Sequence, residues 1–118
     1  MAIRGIRGAN EVAANTEEAI LTATADLLIA LQQANGFAAR DVVSVIFTLT
    51  PDLNAAFPAR AAREMLGWTD APMLCAAEVD VPGAPGRLVR VMLTVTGGGA
   101  EPAQHVYLRG AKRLRPDR

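Results

Sequence analysis

Apolar residues recur along the chain with the two periods that are typical of strands and helices. Every second position of residues 42–50 and 87–96 is aliphatic or aromatic, which predicts two half-buried strands. Residues 2–9 and 72–80 are weaker strand candidates, because arginine, glycine and alanine interrupt their apolar positions. A last strand is predicted around residues 105–113. The pattern therefore predicts five strands.

The two clear strands also predict which side chains enter the core. Their apolar faces are formed by Val43, Val45, Phe47 and Leu49 in one strand and by Val89, Val91, Leu93 and Val95 in the other. Their opposite faces carry Ser44, Thr48 and Thr50 in the first strand and Leu88, Arg90, Met92 and Thr94 in the second. Arg90 is therefore expected to point away from the aliphatic stripe.

A long helix is predicted between the first two strands. Asn15 or Thr16 can act as its N-cap, and two glutamates follow in the first turn, where the helix dipole favours negative charge. Asn35-Gly36 supplies a left-handed stop. Between these ends, the residues that recur at helical spacing are Ile20, Thr24, Leu27, Leu28, Leu31 and Ala34.

A second, short helix is predicted after Pro51-Asp52 ends a strand, with Pro58 near its first turn and Gly67 just past its end. The order β-α-β-α-β-β-β predicts an α/β (α+β) fold with a mixed sheet. Because crossovers are right-handed, both main helices are expected on one face of that sheet. The other face lacks cover within the chain, although it carries apolar residues at Ile46, Leu88 and Met92. Association with another subunit is therefore expected.

The composition limits the classes of function. Twelve acidic and twelve basic residues give a formal net charge of zero, which argues against general electrostatic binding of nucleic acid or an anionic membrane. A single cysteine excludes an internal disulfide, and a single histidine leaves no Cys/His set at zinc spacing. Without a long apolar run or a signal peptide, residues 1–118 are expected to form one cytoplasmic domain with a short frayed tail at 115–118.

The standard catalytic motifs are absent from the sequence. The Gly97–Gly99 run is interpreted as a flexible turn, because no suitable helix follows it. His105 is interpreted as a structural histidine and Cys75 as a half-buried filler, since neither has a catalytic partner at motif spacing. The four-residue spacing of Arg60 and Glu64 predicts a solvated helix pair. Covalent catalysis is not indicated, and neither a metal nor a cofactor is predicted.

Arg90 and Arg7 are the two anomalous residues. Each lies on a predicted strand among apolar neighbours, and a buried unpaired charge is costly enough to signal a partner or a ligand. Binding of an anionic ligand and pairing with an acid such as Glu78 or Asp80 explain both arginines equally well.

Short motifs spread over the whole chain carry a resemblance to a known family. They are Ile3-Arg4-Gly5-Ile6-Arg7-Gly8-Ala9, Thr50-Pro51-Asp52-Leu53, Phe57-Pro58-Ala59, Arg63-Glu64, Gly67-Trp68, Cys75, Glu78 and Asp80, Arg90-Val91-Met92, His105-Val106-Tyr107-Leu108 and Leu114-Arg115-Pro116-Asp117. In order and spacing they resemble the small monofunctional bacterial chorismate mutases of the trimeric α/β-barrel class. The chain departs from that pattern at Arg60, Met73 and Leu74, where the family carries Lys, Val and Thr.

The resemblance implies a homotrimer, a pseudo-α/β-barrel whose active sites lie in clefts between adjacent subunits. The implied activity is that of an isomerase in aromatic amino acid biosynthesis, the concerted [3,3] rearrangement of chorismate to prephenate without a metal or cofactor. Such a reaction needs a pocket that holds the dianionic substrate in its folded diaxial form. The pocket must also complement the charge that develops on the ether oxygen.

The resemblance also implies roles for individual residues. Arg90, Glu78 and Arg7 are the implied catalytic residues, with Arg90 donating to the ether oxygen and holding a carboxylate. Arg7 and Tyr107 are expected to bind carboxylates, and Glu78 and Cys75 to face the ring hydroxyl. Further contacts to substrate are expected from Phe57, Ala59, Arg60, Arg63, Met73, Leu74, Leu114 and Arg115.

Two other functions stay open at this point. Small imine and enamine hydrolases have a similar fold and also trimerise with an arginine in each cleft, but their C-terminal Arg and Glu signature is not seen here. A non-catalytic trimeric module that binds small dicarboxylates would equally use these arginines.

Overall fold

The computed structural model describes residues 3–97 and 102–114, in which five strands form one mixed sheet. The strands are β1 (Ile3–Glu11), β2 (Val42–Leu49), β3 (Met73–Ala77), β4 (Leu88–Thr96) and β5 (Val106–Tyr107). They lie in the order β3-β2-β4-β1-β5. The outer pairs, β2 with β3 and β1 with β5, are parallel, whereas β4 runs antiparallel to both of its neighbours. The predicted α/β class and the mixed five-stranded sheet are confirmed.

The long helix α1 spans Glu17–Asn35. Thr16 is its N-cap, because the Thr16 hydroxyl accepts a hydrogen bond from the backbone N–H of Ala19 at 3.1 Å. Gly36 ends it in the left-handed conformation with φ of 66°. Its buried face lies against the sheet and consists of Ile20, Ala23, Thr24, Ala25, Leu27, Leu28, Leu31 and Asn35. Of the residues described, no helix combines the length and apolar character needed to cross a bilayer.

The second predicted helix is present but short. Residues 59–65 are helical, and within them Ala61–Met65 forms a π-helical turn, labelled α2 here. Gly67, with φ of 71°, turns the chain so that the Trp68 ring meets the Phe37 ring edge to face at 6.0 Å. Because α1 and α2 both pack into the core cluster on one face of the sheet, the predicted placement of the helices is confirmed.

The predicted inward face of β2 is wrong at its first residue. Val42 pairs with Val95 and Ser44 with Thr94, so Val43 is an extra residue in a β-bulge. The bulge shifts the alternation by one position, which buries Val42 and leaves Val43 46% exposed. Strict alternation from the sequence cannot reveal such a bulge.

The predicted strand at 105–113 is also wrong over most of its length. Only two residues pair with β1, and Arg109–Leu114 then forms a short 3-10 helix. Arg109 begins this helix with a positive φ of 49°, which breaks the extended backbone. The helix packs Ala111 against Ala9 and Leu88 on the sheet face away from α1. That face therefore has cover at one end, where none was predicted.

The other strands differ from their predicted limits at the ends. β1 continues to Glu11, because β4 offers pairing partners that far, and β3 is shorter than the predicted 72–80. Gly97 has the left-handed backbone expected of a turn, with φ of 70°. The rest of the Gly97–Gly99 run and the tail at 115–118 lie outside the described residues.

Replacing Gly8 with alanine is expected to destabilise the fold by about 1–3 kcal/mol through overpacking. A Cβ at this position would lie 2.9 Å from Leu27 Cδ1 and 3.0 Å from the Val106 carbonyl oxygen, so α1 and β5 would both have to move. Gly5→Ala is the matched control, since a Cβ on Gly5 meets nothing within 4 Å. Denaturant unfolding of both variants measures the difference, and equal unfolding free energies would contradict the expectation.

Candidate active site

Three neighbouring polar side chains, two on strands and one just after β3, lie on the sheet face opposite α1. Thr48 of β2 pairs with Arg90 of β4 on one side and with Ala76 of β3 on the other. Glu78 lies two residues after Ala76, and its backbone N–H still donates to the Leu49 carbonyl oxygen at 2.9 Å. This ladder bond holds Glu78 beside β2, so its side chain reaches across Thr48 towards Arg90.

Arg90 and Glu78 form a two-pronged ion pair. Arg90 Nε donates to Glu78 Oε2 at 3.0 Å, and Arg90 Nη2 donates to Glu78 Oε1 at 2.9 Å. The Thr48 hydroxyl also donates to Oε2, at 2.7 Å. The Glu78 side chain is only 12% exposed, whereas that of Arg90 is 47% exposed. The pairing of Arg90 with Glu78 that the sequence allowed is confirmed, and it fixes the plane of the guanidinium.

The ion pair leaves Arg90 able to bind a second anion. A guanidinium has five N–H donors, and Glu78 uses two of them. Among the residues described, no other group accepts a hydrogen bond from Arg90. Pairing with an acid and binding of a ligand are thus compatible at this residue.

Arg7 lies beside Arg90 on the same open face, with its side chain exposed. Its backbone N–H donates to His105 Nδ1 at 3.0 Å. His105 therefore holds the segment before β5 against β1, which confirms its structural interpretation. Within residues 3–97 and 102–114, the Arg7 guanidinium has no hydrogen-bond or ion-pair partner.

A cavity of about 220 Å³ brings several predicted site residues together. It is lined by Arg7, Gly8, Ile46, Thr48, Arg90, Val91, Met92, Tyr107 and Leu114. Tyr107 reaches it from β5, where it pairs with Ala9. A wider hollow of about 920 Å³ lies on the Glu78 side and shares Thr48 and Arg90 with the first. The Arg90–Glu78 pair therefore lies at the junction of two open spaces.

A second group of predicted site residues lies elsewhere in the chain. Phe57, Arg60 and Cys75 line a separate cavity of about 490 Å³, which shares no residue with the one that holds Arg7. Cys75 pairs with the core residue Phe47, so its side chain is on the α1 face and packs half-buried against the core. Among the described residues, this cavity contains Cys75 without Glu78, and the wider hollow beside Arg90 contains Glu78 without Cys75.

The other predicted contact residues are scattered. Ala59 is buried in the core, and Met73 packs against that core. Leu74 projects from the open face with 70% of its surface exposed. Arg63 is exposed beside Glu64. Arg115 lies outside the described residues.

Arg60 is bound to two carboxylates rather than to the one predicted. It donates to Glu64 from Nε at 2.9 Å and contacts Glu17 at 2.9 Å through Nη1. The hydrogen bonds that Arg60 donates to Glu64 and Glu17 raise the pKa of Arg60, and the bond to Glu64 also lowers the pKa of Glu64. The predicted Arg60–Glu64 pair is confirmed, and Glu17 additionally ties the short helix to the start of α1.

Thr48 is the polar residue of this site that sequence reasoning did not single out. Its position on the polar face of β2 was the available signal, but a threonine there is ordinary for a half-buried strand. Only the pairing register shows that it stands between Glu78 and Arg90. Ile46 and Met92 were expected on this face, and they form apolar parts of the cavity wall.

The fold and site together define a small α/β protein with an arginine-lined cavity on the open face of its sheet. Comparison with known proteins assigns the family. The profile described as Chorismate mutase type I matches residues 3–118. The chain therefore belongs to the type I chorismate mutase family.

Individual relatives agree with this assignment. The chain is 46% identical over 118 residues to Chorismate mutase AroH of Bacillus subtilis strain 168, covering 99% of this chain and 93% of that protein. It is 49% identical over 117 residues to Chorismate mutase AroH of Thermus thermophilus, covering 98% and 95% of the two chains. A solved chorismate mutase from Clostridium thermocellum superposes with a TM-score of 0.88 at 46% identity, over 93% of this chain and 98% of that one.

Proposed function

We propose that this protein is an isomerase that rearranges chorismate to prephenate, with Arg90 as the principal catalytic residue, in a cleft shared by adjacent subunits of a homotrimer. The observation that carries the proposal is the Arg90 guanidinium. A largely buried Glu78 holds it in one plane, and three of its five donors face away from that carboxylate.

The chemistry explains why so few catalytic groups are needed. The ether C–O bond breaks as a new C–C bond forms, so the atoms and electrons balance within one molecule and no proton is transferred. Negative charge develops on the ether oxygen as that bond lengthens. A donor that is oriented beforehand stabilises this charge without reorganising during the reaction, and Arg90 is such a donor.

The charges around the cavity suit a dianionic substrate. Arg7 and Arg90 contribute two positive charges and Glu78 one negative charge, so the open face keeps an excess of positive charge near Tyr107. In the proposal, Arg7 and the Tyr107 hydroxyl each bind a carboxylate of chorismate. Leu114 closes one wall.

The distribution of the other residues supports a shared cleft. Phe57, Arg60 and Cys75 line a cavity distinct from that of Arg7, Arg90 and Tyr107. In the proposal, the two groups contact one substrate molecule from different subunits. The open sheet face also exposes apolar side chains at Ile46, Leu74 and Met92, which an adjacent subunit would cover.

The activity is tested by following the absorbance of chorismate with purified protein and no added metal or cofactor. The proposal expects saturable conversion to prephenate. Ammonia release from an imino acid would indicate an imine hydrolase, and stabilisation by dicarboxylates without turnover would indicate a binding module. Family membership favours neither alternative. A cytoplasmic location also belongs to the proposal, and the single free Cys75 suits a reducing compartment.

The shared cleft predicts that two inactive variants restore activity when mixed. Arg90→Gln removes the principal donor, and Phe57→Asp places a negative charge on an exposed residue of the second group, where it should repel a dianion. Each variant alone should be nearly inactive. After unfolding and refolding as an equal mixture, about one quarter of the clefts should receive both intact halves.

The measurement is the mutase activity of the mixture relative to wild type, with sedimentation to verify the trimer. Refolding each variant separately is the control. No recovery from mixed trimers would show that the two groups of residues do not meet across subunits.

A further inference from the structure

We propose that Thr48 is a positioning residue for the reaction, acting through Glu78 on the orientation of Arg90. This inference rests on the proposed function and extends it to a residue outside the implied substrate contacts. The juxtaposition that carries it is the Thr48 hydroxyl within 2.7 Å of Glu78 Oε2, the same oxygen that accepts the bond from Arg90 Nε.

The geometry restricts the carboxylate more than the ion pair alone would. A carboxylate held only by a half-exposed arginine can rotate or exchange one bond for water, because surface ion pairs are weak. The hydroxyl of a short, β-branched side chain on a central strand is a stiffer donor, since its χ1 angle has few allowed values. Thr48 thus anchors one oxygen of Glu78, and the plane of the Arg90 guanidinium follows from it.

The backbone supports the same conclusion. Thr48 pairs directly with Arg90 on one side and with Ala76 on the other, and the N–H of Glu78 bonds to the carbonyl of Leu49. Thr48 and Arg90 are therefore carried by adjacent strands, and Glu78 directly follows β3, the strand on the other side of β2. Because the backbone spacing between them is fixed, the hydroxyl is the remaining contact that can set the carboxylate's rotation.

Thr48 also lies beside the proposed substrate site. It lines both the cavity shared with Arg7 and Tyr107 and the wider hollow beside Glu78. Its hydroxyl is the only one among the described residues that donates to Glu78. Loss of this bond should leave substrate binding largely intact, since Arg7 and Tyr107 keep their places, but should loosen the donor needed in the transition state.

The test is Thr48→Val, which keeps the shape of the side chain and removes the hydroxyl. The expected result is a roughly tenfold lower kcat with little change in KM. A decrease of this size corresponds to the loss of one hydrogen bond to a charged acceptor. Thr48→Ser keeps the hydroxyl and should retain most of the wild-type rate. Thr94→Val is the matched control, as Thr94 lies on the same sheet face, in β4, outside both cavities.

A double-mutant cycle distinguishes positioning from a merely structural role. If Thr48 acts through Glu78, then Thr48→Val should have almost no further effect on kcat in a Glu78→Ala background. Additive losses, or a wild-type kcat for Thr48→Val in an active enzyme, would overturn the inference. Absence of mutase activity in the wild-type protein would instead reject the proposed function.

Discussion

Replacing Arg90 with glutamine is expected to lower kcat by at least 10²–10³-fold, the usual cost of losing a preorganised donor at a developing oxyanion. Glutamine is polar and can still approach Glu78, but it has neither the charge nor the forked donors of arginine. The loss should appear mainly in kcat, because Arg7 and Tyr107 still bind the carboxylates.

The control for this variant is Arg40→Gln, an exposed arginine in the short turn before β2 and away from the cavities. Its activity should equal that of wild type. Far-UV circular dichroism and the unfolding midpoint would show whether Arg90→Gln keeps the fold. A folded Arg90→Gln protein with an unchanged kcat would remove Arg90 from its proposed role.

Replacing Glu78 with alanine is expected to lower kcat by about 10²-fold without raising KM. Arg90 would lose both bonds that fix its plane, and a displacement of about 1 Å at a reacting centre can cost this much. The affinity for substrate should not fall, because removing a carboxylate makes the cavity more positive towards a dianion. Arg7→Ala should have the opposite effect, with a raised KM and little change in kcat.

Steady-state kinetics of the two variants, with Glu18→Gln as an exposed control in α1, measure this difference. A Glu78→Ala protein with a raised KM and an unchanged kcat would mean that Glu78 contacts the substrate rather than orienting Arg90. The comparison therefore separates the two roles that a buried carboxylate beside an arginine can have.

Much of the fold could be predicted because its signals are local. The caps of α1 at Thr16 and Gly36 depend on side-chain and backbone preferences within one turn, and the stripe of β4 depends on alternation within one strand. The predictions that were wrong concern features that depend on contacts between distant segments. The bulge at Val43 depends on the partner strand, and the turn at Arg109 depends on packing of Ala111 on the far face.

The same division applies to the site. Arg7 and Arg90 could be singled out because an arginine among apolar strand residues is costly without a partner. The choice between a ligand and an acid could not be made, because Glu78 and Arg90 are brought together by β2, which precedes both of them in the chain. Thr48 could not be singled out at all for the same reason.

The sequence by itself determined the class of fold, the long helix and the two clearly alternating strands, the arginines that need a partner and, through its motifs, the resemblance to the family. The tertiary structure alone decided that Glu78 holds Arg90, that Thr48 holds Glu78, and that Cys75 lies on the opposite face from them. The physical reason is the range of the interactions. Periodicity and capping act over a few residues, whereas strand register joins residues that are distant in the chain. A shift of one position in that register places a side chain on the opposite face of the sheet.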